Sequence, residues 1–302
     1  MTVTNGTLYA TGVTFTTVPD VTGTEWQSAG WQGITALGAG PGKPTGLSFT
    51  DCIFEHDSCG ENAYGTIKGE QTNDIDSVVN ISVSGCTFRT PNRNDQAAIT
   101  YLNGSNTVGS GTISITGSNF TGCGRGVQVL DNGDDAVNTT VTGCTFSNIS
   151  IRPVEINGGR QAVVTGNIFN DFVAGQHSGA ILIYDTDAAT GINQAATLTG
   201  NTFNYGSTAS IYPVLIGAGC KINENATNPA NTFGSDYPAA YQYIVLSRGI
   251  GYATNSAYRN AVWGEAGIPY LLTSEIVIAG TDADQSTLTI KPGVTVCLGD
   301  GS

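Results

Sequence analysis

The chain has 302 residues, 41 of them Gly, and only 12% are charged, against roughly 25% in ordinary soluble domains. Hydrophobic residues reach 39%, too many for an acidic disordered tail, and no apolar run approaches the ~18 residues of a membrane-crossing helix. With 24 acidic against 11 scattered basic residues the formal charge is -13, which repels a phosphate backbone, so neither nucleic acid nor a membrane segment is expected.

The opening Met1-Thr2-Val3-Thr4-Asn5-Gly6-Thr7 lacks the basic start and apolar core of a signal peptide. Met1 is the only methionine, which suits a start codon placed before a piece of a longer protein. An octet then recurs along the chain. It begins as Leu8-Tyr-Ala-Thr-Gly-Val-Thr-Phe15 and Leu47-Ser-Phe-Thr-Asp-Cys-Ile-Phe54, and continues in copies that end at Phe88, Phe120, Phe146, Phe169 and Phe203. A decayed eighth copy closes on Asn231-Thr232-Phe233. Successive Phe are 39, 34, 32, 26, 23 and 34 residues apart, so the variation lies in the loops and not in the octet.

Apolar residues alternate with Ser and Thr over the first four places of the octet, the period of a strand with one buried face. Gly at the fifth place, in six of the seven full copies, marks a corner. After each Phe comes a loop and a second short apolar run, such as Ala98-Ile-Thr-Tyr101, Gly126-Val-Gln-Val129, Pro153-Val-Glu-Ile156 and Ala180-Ile-Leu-Ile183. Units with two or three short strands and no helical stretch bury their apolar face only by stacking on the next unit, at the ~4.8 Å spacing of paired strands. The pattern therefore predicts an all-β parallel coil of about eight or more turns over residues 1–250. Leucine-rich repeats would need a steadier length and a different Leu frame, and a propeller blade needs four strands, more than a 23-residue unit holds.

These strand-Gly-x-x-Phe units resemble the right-handed single-stranded parallel β-helix of the pectate-lyase-like superfamily, over about residues 5–250. Trp263-Gly264, Gly267-Ile-Pro-Tyr270 and Thr287-Leu-Thr-Ile-Lys-Pro-Gly-Val-Thr-Val296 look like the opening strands of a further β-helix module in multi-module bacterial surface proteins. Residues 251–302 are accordingly expected to be either an aromatic-rich cap or the start of such a module.

The sixth octet place holds Val13, Cys52, Cys86, Ser118, Cys144, Asn167 and Asn201, which stacking turns into one ladder. Cys52, Cys86 and Cys144 read as buried, inert thiols, although adjacent rungs bring Cys52 and Cys86 within bridging range. Among the seven Cys, the loop residues Cys59 and Cys123, with Cys220, are the better candidates for a bridge or a reactive thiol. No Cys-x-x-Cys pair or His-Cys cluster points to zinc, and His56 and His177 fall in different units.

If Val127, Val154 and Ile181 stack inward, then Gln128, Glu155 and Leu182 face out, and Asp131 and Asp185 lie at strand ends two rungs, about 10 Å, apart. That is near the upper edge of the ~6.5–9.5 Å separation of the acids in an inverting glycosidase. Asp131, Glu155 and Asp185 are thus the candidate catalytic residues, with Arg152 and Arg160 as ligand-binding cations and Tyr184 as a sugar platform. The Asn-Thr-Asp and Gly-His-Gly segments of polygalacturonan-cleaving relatives are missing. Asp131-Asn-Gly-Asp-Asp135 has alternating oxygen ligands that would suit calcium, but reads first as an Asx-rich turn, and no other cofactor is expected.

The first functional expectation is a non-catalytic, extracellular module of a cell-surface protein, a monomeric rigid stalk or adhesive surface toward glycans or host proteins. An extracellular polysaccharide hydrolase or lyase is the alternative, and a phage tail-spike segment, which would trimerise, is the third.

Overall fold

The computed structural model describes residues 1–16, 33–55, 65–71, 77–89, 97–103, 110–131, 136–172, 179–184, 194–204, 211–226, 230–247, 260–273, 275–276, 278 and 286–299. Within them the chain winds as a parallel β-helix. Three parallel sheets of eleven, ten and eight strands, here sheets A, B and C, each take one strand from successive coils. The octet supplies sheets B and C, and the second apolar run supplies sheet A. One coil shows the arrangement: Arg125–Asp131 in sheet A, Ala136–Thr142 in sheet B and Thr145–Ser147 in sheet C.

Register is kept from coil to coil. In sheet C, Phe54 pairs with Phe88, Phe88 with Phe120, Phe120 with Phe146, and Phe146 with Phe169. The rings stack 4.7 to 5.2 Å apart with interplanar angles of 2° to 9°, from Phe54 through to Phe203. Ile81, Ile113, Val141 and Val164 line the adjoining wall, all buried.

The corner after sheet B requires a left-handed residue. Gly85, Gly117, Gly143, Gly166 and Gly200 have φ between +55° and +65°, and Asp51, the one departure from Gly in the full copies, takes the same conformation at +52°. The sixth-place ladder then satisfies the corner's backbone. The Cys52 N–H donates to Cys86 Sγ (3.4 Å), the Cys86 N–H to Ser118 Oγ (3.1 Å), the Cys144 N–H to Asn167 Oδ1 (2.9 Å), and the Asn167 N–H to Asn201 Oδ1 (3.0 Å). Each thiol or hydroxyl donates in turn to the carbonyl two residues back, as Cys86 does to Ser84 and Ser118 to Thr116. Asparagine does the same work across coils, Asn167 Nδ2 donating to the Val141 carbonyl at 2.9 Å. Where the place is buried, from Cys52 to Asn201, every occupant can both give and accept a hydrogen bond; Val13, in the first coil, is exposed.

Cys52, Cys86 and Cys144 are buried and unbridged, and burial pushes the Cys86 and Cys144 thiols up to about 11. Cys123 and Cys220 are also buried, at 1% and 0% exposure, which removes the accessibility that made them candidates for reaction. The Cys123 loop is drawn inward because the turn after Thr121 packs Cys123 and Ile149 into the core. Cys59, His56 and His177 lie outside the described residues.

Strands Asn260–Trp263, Tyr270–Leu272, Thr287–Ile290 and Val296–Leu298 extend sheets A and B without a break. Among the described residues sheet C stops earlier, at Thr232–Phe233. There Tyr237 packs on Phe233 (4.8 Å) and its hydroxyl donates to the Ile211 carbonyl, covering the end of the Phe stack. No helix is long and apolar enough to cross a membrane among the described residues.

Candidate ligand-binding face

On the outer side of sheet A two strands carry the same charged frame, Arg125-Gly-Val-Gln-Val129 beside Arg152-Pro-Val-Glu-Ile156, with Arg125 paired to Arg152 and Gln128 to Glu155. Val127 and Val154 stack inside, so Gln128 and Glu155 point out. Glu155 sits between two guanidiniums: Arg125 Nε lies 3.0 Å from Oε2 and Arg152 Nη1 3.0 Å from Oε1. Gln128 Nε2 donates to Oε2 as well, at 3.2 Å. Both carboxylate oxygens are engaged, and two cations against one anion leave a local excess of one positive charge in a chain of net charge -13. Arg152 is 6% exposed, so this cluster is held within the wall of the coil rather than on flexible stems.

The next rungs of the same row are apolar. Leu182 pairs with Glu155 and Leu215 with Leu182. Leu182 is 1% exposed although its place in the strand faces outward, so the row beyond Glu155 is covered. Near the start of the following strands Tyr212 meets Tyr241 edge-on at 5.5 Å and Tyr243 at 6.5 Å, and all three are half-buried. A polar, cationic patch and an aromatic patch thus lie along one side of the coil.

The sequence-predicted residues divide. Arg152 and Glu155 are in direct contact. Asp131 is 0% exposed and accepts a hydrogen bond from Asn103 Nδ2 at 2.9 Å. It shares the inward parity of Val127 and Val129, one rung beyond Gln71 and Asn103, whose places in register it continues. These three polar residues line an inner corner between sheets A and B, where Gln71 Nε2 donates to the carbonyls of Ser77 and Ser110. Asp131 is therefore sealed from solvent. Arg160 is exposed, in the turn beyond the other end of the strand that Arg152 begins, so the two cations are not brought together. Tyr184, paired with Asn157, is half-buried at the end of its strand. Asp185 and the segment 132–135, on which the calcium expectation rests, lie outside the described residues, and no group of three His, Cys, Asp or Glu forms among those described. Arg125 and Tyr212 were not anticipated. Aligning the two Arg-x-Val-Gln/Glu runs would have found Arg125, because stacking sets it beside Arg152.

No family model, curated protein or solved structure matches this chain.

Proposed function

We propose that the protein is a non-catalytic β-helix module of the pectate-lyase-like kind, an extracellular rigid spacer whose sheet A face adheres to glycans through Arg125 and Gln128, backed by the buried Arg152, and through the Tyr212–Tyr241–Tyr243 patch. Arg160 and Tyr184 flank that contact. The observation carrying this reading is the state of the acids. Most glycoside hydrolases use two carboxyl groups open to one substrate, one to protonate the leaving oxygen and one to activate water or attack. Asp131 is enclosed within the coil and both oxygens of Glu155 are engaged by Arg125, Arg152 and Gln128. Guanidinium forks and tyrosine faces, in contrast, suit sugar hydroxyls, carboxylates and ring faces without any change in the protein.

The test is binding of the whole chain to a panel of neutral and acidic glycans, with Arg125→Gln and Tyr212→Ala as variants. A ligand held by the native chain should be weakened by roughly ten-fold or more in each, about 1.4 kcal/mol. Release of reducing ends or unsaturated products that disappears in Glu155→Gln would overturn the non-catalytic reading in favour of a hydrolase or lyase.

A further inference from the structure

The outer face of sheet B differs from that of sheet A. Through seven coils one rank runs from Thr11 by Thr50, Ser84, Thr116 and Thr142 to Thr165 and Thr199, each in register with the next; it is exposed at Thr11, partly exposed from Thr50 to Thr165 and buried at Thr199. Two residues earlier on each strand a second rank holds Ser48, Ser82, Ser114, Thr140 and Thr197, with Tyr9 at the first coil and Val163 at the sixth. Every residue of the first rank bears an aliphatic hydroxyl. Neither rank contains a charge, whereas the outer face of sheet A carries Lys68, Glu70, Arg125 and Glu155.

The geometry points to an ice-binding surface on the outer face of sheet B, the ligand being the oxygen lattice of a growing ice crystal. Rungs ~4.8 Å apart and alternate residues ~6.6 Å apart set the hydroxyl-bearing residues on a rectangular backbone net, of the same order as the oxygen repeat on a prism face of hexagonal ice. A net matches a crystal plane only if it is regular, and the one-to-one register of these ranks runs from Thr11 to Thr165 without a bulge. Thr142 Oγ1 and Thr165 Oγ1, 3.1 Å apart, hydrogen-bond to each other, so at that step the hydroxyls lean together, closer than the rungs that carry them. Threonine methyls between the hydroxyls restrict how adjoining water can orient, so water over the face is ordered before it meets the crystal. The alternatives fit less well: an anionic glycan or phosphate would call for cations, and a crystalline polysaccharide for a row of aromatic platforms, of which these ranks offer Tyr9 alone.

The experiment uses the full chain, fluorescently labelled and presented to a growing single-crystal ice hemisphere, with thermal hysteresis and recrystallisation measured alongside. The native chain should adsorb to defined planes and suppress recrystallisation. The Thr116→Lys/Thr142→Lys variant, its fold checked by circular dichroism, should take up ice roughly ten-fold less or worse. Thr87→Lys/Thr121→Lys on sheet C should match the native chain. Ser82→Lys, at an exposed place, serves if the first pair does not fold, and is read in the same way. Ice growth indistinguishable from that in serum albumin at equal molarity, or full activity in the sheet B variant, overturns the proposal. Arg125→Gln should leave every ice readout unchanged, and Thr116→Lys/Thr142→Lys should leave glycan binding unchanged, so the two readings fail separately.

Discussion

At the corner, one side chain per coil meets two backbone demands. Asn167 accepts from the Cys144 N–H and donates to the Val141 carbonyl, both out of reach of water. Asn167→Ala orphans both groups, at roughly 1–3 kcal/mol each, so a loss of about 2–6 kcal/mol is expected in urea denaturation. Asn167→Ser should cost less, since Ser118 fills the same place with a hydroxyl that both accepts and donates. The thiols make a pH prediction. Their folded pKa of about 11 lies above the ordinary value of 9.0, so the folded state holds the proton longer than the unfolded chain does. The stability tied to that proton is complete below about pH 9 and is lost as pH rises from there through about 11. The urea midpoint should fall over that window, and Cys86→Ser/Cys144→Ser should flatten the fall.

At the scale of strand and turn, the Phe column and the left-handed corner hold the coils in step. Phe120 is fully buried between Phe88 and Phe146, and Phe120→Ala should cost about 3–5 kcal/mol through lost burial and the cavity left behind. Two corner glycines separate backbone strain from crowding. At Gly117 (φ +55°) an added Cβ meets nothing within 4 Å, so Gly117→Ala carries only the left-handed penalty, roughly 1–2 kcal/mol. At Gly85 (φ +64°) that Cβ would lie 2.2 Å from Asp51 Oδ1, so Gly85→Ala should lower the thermal midpoint further than Gly117→Ala does. The octet was readable because identical residues recur at identical places, and stacking converts each recurrence into a contact. Alternation also contained the fate of Asp131, which has the parity of Val127 and Val129; reading it as a strand end overrode that parity. Glu155 and Arg152 were foreseen, but the engagement of both Glu155 oxygens was not, because Arg125 reaches it from a neighbouring coil, 30 residues away in sequence.

As a whole the molecule is a short rod. Sheet A, with eleven strands, spans ten steps of ~4.8 Å, about 50 Å, and each coil touches only its neighbours. Such arrays open from the ends and at their weakest seams. Amide exchange should be slowest in sheet B strands such as Ser110–Thr116 and Ala136–Thr142, which back the tightest part of the Phe stack, and fastest in Thr287–Ile290 and Val296–Leu298. The latter lie where no described sheet C strand closes the coil, beside a cavity of about 430 Å³ lined by Trp263, Leu272, Leu288 and Leu298 among others. Slower exchange there than in Ala136–Thr142 would contradict the stacking account. The corner bonds that the backbone N–H groups donate, finally, run in one direction, from an earlier turn to a side chain of the turn made after it. A polypeptide emerging from the ribosome N-terminus first therefore exposes each donor before its acceptor has been synthesised. Each turn thus keeps its corner N–H unpaired until the turn after it is laid down.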